Sequence, residues 1–175
     1  IDYWFGLFWI SNGGVEFFYI RMIKDKIIFF GATKFSEEIL INLLNDNCNI
    51  SAIFSIPKKF NISYSDEKVV NYNYADLSKY ANKLSIPFYL VDSSDEKKLI
   101  DYKSIIESLS PKVIIAVGWY YMVPKQIRKI PENGVWGIHA SLLPNYAGGA
   151  PLVWAIINGE KETGVTLFKF DSGVD

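Results

Sequence analysis

Val113-Ile114-Ile115-Ala116-Val117 is apolar at every position and runs straight into Gly118. A strand with one wet face alternates, whereas an unbroken run of this kind belongs to a strand covered on both faces, as at the centre of a parallel sheet. Outward from it, Ile27-Ile28-Phe29-Phe30 is a second such run, closed by Gly31, and Ser36-Glu37-Glu38 opens a helix whose Ile39, Leu40, Leu43 and Leu44 share one face. Asn49 to Ile56 reads as a strand closed by Pro57. Ala75 to Leu84 reads as a helix, Pro87 to Val91 as a short strand, and Glu96 to Leu109 as a helix stopped at Ser110-Pro111. Past the central run, Pro124 starts a short helix and Val135 to Ile138 is a strand. Pro151 to Ile157 is a helix, and Gly164 to Phe170 is a last strand. Strand and helix alternating in this way predict an α/β fold with a right-handed, doubly wound sheet, whose ligands bind beyond the carboxyl ends of the strands.

The 175 residues suggest one domain of ordinary size, and half of them are apolar, which allows a sizeable core. Eighteen basic and nineteen acidic side chains are interspersed, for a net charge of −1, so no broad field exists to grip a phosphate backbone. Cys48 is the only cysteine, which removes any intrachain disulfide and any cysteine-based zinc site; a reducing cytoplasm fits, and no metal is expected. Ile1 to Arg21 is aromatic but carries Asp2, Glu16 and Ser11-Asn12-Gly13-Gly14, so it reads as neither a signal peptide nor a membrane span. Met22-Ile23-Lys24-Asp25-Lys26 looks like a chain start. Residues 1–21 are therefore expected to lie outside the fold, with the domain over 22–175. Their deletion should leave the melting temperature unchanged or raised.

Three places are candidates for chemistry. Phe30-Gly31-Ala32-Thr33-Lys34-Phe35-Ser36 is a strand-to-helix turn, but dinucleotide turns need several glycines and this one has a single glycine, which favours a plain tight turn. Gly118-Trp119-Tyr120-Tyr121-Met122-Val123, at the carboxyl end of the central strand, makes a wall for a flat heterocycle or equally a cover for the core. The third is His139, the only histidine, in Gly137-Ile138-His139-Ala140-Ser141-Leu142-Leu143-Pro144. A lone histidine near apolar residues is often structural. Yet an imidazole titrates near ~6.5, and a carboxylate from another element, Asp175, together with Gly148-Gly149-Ala150-Pro151 leading into a helix, would complete a proton-transfer site. Lys58 to Asn73 is a long polar loop with scattered tyrosines, suited to a lid or a partner surface.

The ordered string His139-Ala140-Ser141-Leu142-Leu143-Pro144, Gly148-Gly149-Ala150-Pro151, Trp154-Ala155-Ile156, Gly159-Glu160, Thr163-Gly164-Val165-Thr166 and Asp171 to Asp175 resembles the formyltransferase catalytic domain. The likeness runs from about Lys26 to Asp175, with the specific motifs in residues 113–175. That resemblance implies a Rossmann-like fold and transfer of a formyl group from 10-formyltetrahydrofolate to a primary amine. By motif, His139 matches the family histidine, Asp175 the aspartate that orients it, and Gly118 to Val123 the segment that wraps the pterin, with Ser141 and Leu142 also at the folate. In the implied chemistry a neutral amine attacks the formyl carbon, an oxyanion develops, and His139 carries a proton from the amine toward the leaving nitrogen.

Two positions depart from the family pattern. Gly137 stands where relatives carry the asparagine of Asn-x-His, an amide that polarises the formyl oxygen, and losing one such donor typically costs about 10²–10³ in rate. Ala147 stands where many relatives carry arginine. The family also continues beyond the Asp171–Asp175 motif, so the domain is expected to be incomplete at its carboxyl end. Among acceptors, the mixed charge of Lys58 to Asn73 and the Trp119-Tyr120-Tyr121 aromatics favour a small amine, foremost a nucleotide-linked amino sugar, over methionyl-tRNA. A folate-binding relative without catalysis, and a formyltetrahydrofolate hydrolase, are the other readings.

Overall fold

In a computed structural model of the chain, residues 4–11, 14–21, 24–61, 67–92 and 98–171 are described. Strands β1 (Trp4–Ser11) and β2 (Gly14–Arg21) form an antiparallel hairpin that pairs with no strand of the main sheet. The remaining elements in chain order are β3 (Ile27–Gly31), α1 (Lys34–Asn45), β4 (Ile50–Ser55), β5 (Lys59–Phe60), β6 (Val69–Val70), α2 (Ser78–Leu84), β7 (Phe88–Leu90), a 3-10 turn (Leu99–Tyr102), α3 (Lys103–Leu109), β8 (Val113–Val117), α4 (Lys125–Arg128), β9 (Val135–His139), α5 (Pro151–Ile157) and β10 (Thr166–Lys169).

The main sheet has the order β10-β9-β8-β3-β4-β7. β3, β4, β7, β8 and β9 run parallel, and β10 joins the edge antiparallel to β9. The wholly apolar strand β8 lies inside the sheet between β3 and β9. Each face of the sheet carries its own core. Ile28, Phe30, Phe54, Ile114, Ala116 and Val135 lie on one, and Ile27, Phe29, Leu40, Ile53, Val113 and Trp136 on the other. Alternate residues of β3 go to opposite cores, the period-two consequence of a strand buried on both faces.

Two helices begin elsewhere than periodicity suggests, in each case because of hydrogen bonds to short polar side chains. α1 starts at Lys34 rather than Ser36, since Thr33 caps it: the Thr33 Oγ1 accepts from Ser36 N at 3.1 Å, and Ser36 Oγ accepts from Thr33 N at 3.1 Å. α2 starts at Ser78 rather than Ala75, because Asp76 accepts from the Ser78 amide and hydroxyl, and Ala75 N donates to the Ala32 carbonyl. The helix expected over 96–109 is split between the 3-10 turn and α3. Loop 58–73 carries the short β5–β6 ladder, which buries Phe60. Thr33→Ala should lower stability by about 1 kcal/mol, read as a lower denaturant midpoint with the slope unchanged.

No helix among the described residues is long and apolar enough to cross a membrane. α5 is unusual in another way: Leu152, Val153, Trp154, Ile156 and Ile157 are all exposed, and only Ala155 is buried.

Candidate active site

Five parallel strands send their carboxyl ends to one edge of the sheet, and two of the three sequence candidates leave from adjacent strands there. Gly118–Val123 follows β8, and His139 is the last residue of β9. The third candidate, the turn after β3, is closed. Its amides are already engaged: Lys34 N donates to the Asn73 carbonyl, Ser36 N to the Thr33 hydroxyl, and Glu37 N to the Thr33 carbonyl. Asn71, itself buried, donates to the Ala32 carbonyl at 3.0 Å and straps the turn from above. A pyrophosphate would need those amides pointing outward, so the turn is structural, as its single glycine suggested.

Gly118 is fixed by this turn. Its φ is +57°, and a β-carbon there would overlap the Thr33 side chain and come within 2.6 Å of Ser36 Oγ, which donates to the Val117 carbonyl at 2.5 Å. Only glycine satisfies both the left-handed backbone and the close approach. After Gly118 the chain leaves the sheet. Trp119 packs on Phe30 with ring centres 4.9 Å apart, Tyr120 and Tyr121 pack on Phe60, and Val123 is buried. The Tyr120 hydroxyl donates to Asn71 Oδ1 at 3.2 Å, and burial pushes its phenol above the ordinary range. Met122 is four-fifths exposed. Trp119 and Tyr121 therefore cover the core, while Tyr120 and Met122 are exposed at the carboxyl end of the sheet.

Among the described residues the main chain of Trp119, Tyr120 and Met122 enters no backbone–backbone hydrogen bond, and Trp119 Nε1 is a buried donor without a partner. Backbone that leaves a sheet with its N–H and C=O groups unspent is suited to recognising a flat heterocycle with donors and acceptors along its edge.

His139 is 6% exposed. Its Nε2 lies 2.8 Å from the Tyr146 carbonyl oxygen, and a carbonyl only accepts, so Nε2 carries the proton. In the neutral ring Nδ1 is then the unprotonated nitrogen. The Phe168 ring meets His139 edge-on at 6.2 Å and stacks on Phe170 at 5.0 Å. Ser141 and Leu142 follow His139 in a turn with a cis Leu143–Pro144 bond. The Ser141 hydroxyl is buried and donates to the Asn145 carbonyl, while Leu142 is exposed and lies over Gly164. Thr166 on β10 ties this turn down, donating to the Ser141 carbonyl at 2.7 Å and accepting from Leu143 N at 3.1 Å. Asp175 lies outside the described residues.

Gly137 now has a local explanation. β10 pairs Phe168 with Gly137, and the Phe170 ring leans into the space a side chain there would occupy. A β-carbon on Gly137 would collide with Phe170 Cε1 and stand 3.2 Å from the Ala116 carbonyl oxygen. The Phe170 ring thus fills the space beside Gly137, the position at which the resemblance implied an amide. Thr166 lay in the motif string without a role, and sequence reading had no signal for Phe170, Tyr146 or Asn71 as parts of the site, because each acts through a contact across the fold rather than a motif.

A family model described as formyl transferase matches residues 25–175. The chain is 38% identical over 151 residues to the methionyl-tRNA formyltransferase of Orientia tsutsugamushi (strain Boryong), a match covering 86% of this chain and 46% of that protein. It is 34% identical over 150 residues to the methionyl-tRNA formyltransferase of Clostridioides difficile (strain 630), with the same coverage of each. The chain thus spans about half the length of the curated relatives it matches. Among solved structures, the fold is similar to phosphoribosylglycinamide formyltransferase from Streptococcus pneumoniae TIGR4, with a TM-score of 0.63 at 21% identity, covering 86% of this chain and 76% of that one. It is also similar to a formyltetrahydrofolate deformylase from Pseudomonas syringae pv. tomato, with a TM-score of 0.67 at 21% identity, covering 87% and 48%.

Proposed function

The chain belongs to the formyl transferase family, and from that premise we propose that it moves a formyl group from 10-formyltetrahydrofolate to a primary amine. The observation that carries the reading is the juxtaposition of His139, at the end of β9, with the Gly118–Val123 segment, at the end of the adjacent β8. Folate fits the second of these by chemistry. The unspent main-chain groups of Trp119, Tyr120 and Met122 answer a pterin edge, and the exposed Tyr120 ring answers its face. When bound, the folate supplies an activated formyl carbon.

The residues of the chain then hold and move a proton. The amine nitrogen bonds to the formyl carbon as the bond from that carbon to the folate nitrogen breaks. The proton shed by the amine passes to His139 and is returned to the leaving nitrogen, so no net charge is created. Nε2 is committed to the Tyr146 carbonyl, so Nδ1 is the nitrogen that takes the proton. Asp175, matched by motif to the family aspartate, is the proposed carboxylate that stabilises the charged ring while both of its nitrogens carry a proton. No residue at position 137 polarises the formyl oxygen, so main-chain N–H groups are left that task, as in other oxyanion sites.

The acceptor reading changes with the comparisons. Charge and aromatic content favoured an amino sugar, but the relatives reported above are methionyl-tRNA formyltransferases at 34–38% identity, which favours the amino group of methionyl-tRNA. A nucleotide-linked amino sugar stands second, supported by the loop over Lys58–Asn73, whose lysines are offset by Asp66 and Glu67. The test offers the full protein 10-formyltetrahydrofolate with methionyl-tRNA, with a panel of amino-sugar nucleotides, and with no acceptor. Formylated methionyl-tRNA is the expected product. Formylated sugar alone would move the assignment to the second reading, formate without acceptor would mark a hydrolase, and folate binding without turnover would mark a non-catalytic relative.

A further inference from the structure

The turn between His139 and α5 is pinned at two levels. Ser141 and Thr166 close its first half, as described above, and Asn145 N donates back to the Leu142 carbonyl at 3.1 Å. Tyr146 follows with φ at +56°, a conformation that residues with a β-carbon disfavour. Strained backbone of this kind persists only where the surroundings over-determine it. Here the surroundings are the Tyr146 side chain's own anchor. Its hydroxyl donates to Glu160 Oε1 at 2.5 Å and accepts from Asn158 Nδ2 at 3.2 Å. Both partners sit at the carboxyl end of α5, where Glu160 N donates to the Ala155 carbonyl and Asn158 N to the Trp154 carbonyl. Donation to the Glu160 carboxylate holds the Tyr146 phenol above its ordinary range, in keeping with a bond made at neutral pH. The main-chain carbonyl of the same residue is the one that accepts from His139 Nε2 at 2.8 Å.

We propose that Tyr146, clamped by Asn158 and Glu160, is a positioning residue for His139: the clamp fixes the carbonyl that holds Nε2–H, and so fixes both the ring's orientation and its tautomer. The functional half of this rests on the reading of His139 as the proton carrier. A histidine whose tautomer is set by the hydrogen bond on one nitrogen offers the other in a defined state. Loosening that bond divides the imidazole between tautomers, one of which presents a proton where an acceptor is needed.

In protein labelled with nitrogen-15 at histidine alone, the His139 ring signals are assigned by their loss in His139→Gln, and its two ring nitrogens are then read directly. The unsubstituted protein is expected to show the Nε2–H form. Tyr146→Phe and Glu160→Ala should each introduce a visible Nδ1–H population and lower kcat by about three- to tenfold, with KM for 10-formyltetrahydrofolate within about twofold. Glu160→Gln keeps an oxygen acceptor for the tyrosine hydroxyl and should stay close to the unsubstituted protein in both readouts. An unchanged tautomer in both Tyr146→Phe and Glu160→Ala would overturn the proposal. A shifted tautomer with undiminished kcat would uphold the clamp and instead remove His139 from the reaction.

Discussion

His139→Ala should lower the rate of formyl transfer by about 10²–10⁴, the usual contribution of a positioned acid–base group. The loss should fall on kcat, leaving KM for the folate nearly unchanged, because the proposed function gives the folate to the neighbouring strand's segment and not to the imidazole. Alanine also has a structural consequence. It leaves the Tyr146 carbonyl without its donor, an omission worth about 1–3 kcal/mol for a buried group. His139→Gln retains a donor and approximates the volume while removing the titrating ring. If Gln and Ala lose activity alike while Gln keeps the melting temperature, the loss is chemical. Full activity in His139→Gln would mean that the ring carries no proton.

The second large effect is expected at the residue two positions earlier. Gly137→Asn, which supplies the amide that the resemblance implied at this position, should destabilise the protein by about 1–3 kcal/mol and not raise its rate. The space is taken: a β-carbon alone meets Phe170 Cε1, with Cζ at 3.1 Å and the Ala116 carbonyl oxygen at 3.2 Å. Gly137 is buried in β9 next to the central strand, so the backbone has little room to yield. Adding Phe170→Leu should recover a large part of the loss, giving a coupling free energy of about 1 kcal/mol or more in a double-mutant cycle of chemical denaturation. Additive effects of the two substitutions would show that Phe170 is not what excludes a side chain at 137. Glycine at 137 and phenylalanine just after β10 are expected to behave as one exchange.

That exchange marks the boundary of what the sequence discloses. Strands β3 and β8 were legible because a doubly covered strand has to be apolar throughout, and no other element of that length has to be. The antiparallel join of β10 was not legible, since Gly164 to Phe170 alternates no more clearly for one direction than for the other. α1 starts two residues before, and α2 three residues after, the points that periodicity indicates. Thr33 and Asp76 are ordinary polar residues until their side chains are seen accepting from Ser36 and Ser78. At the site, His139 and the aromatic segment could be named from their neighbours in the chain. Tyr146, Asn71 and Phe170 act through a main-chain carbonyl, a buried amide and the far side of a β pair, none of which leaves a periodic or motif signal.

The measurement that bears most directly on the reading follows a labelled formyl carbon from 10-formyltetrahydrofolate in the full protein, with methionyl-tRNA and amino-sugar nucleotides present as acceptors and His139→Gln run beside it. Label is expected to leave the folate and appear on an amine, at a rate that falls by about 10² or more in the variant. Label that stays on the folate with every acceptor, or that moves equally fast in His139→Gln, would contradict formyl transfer through His139.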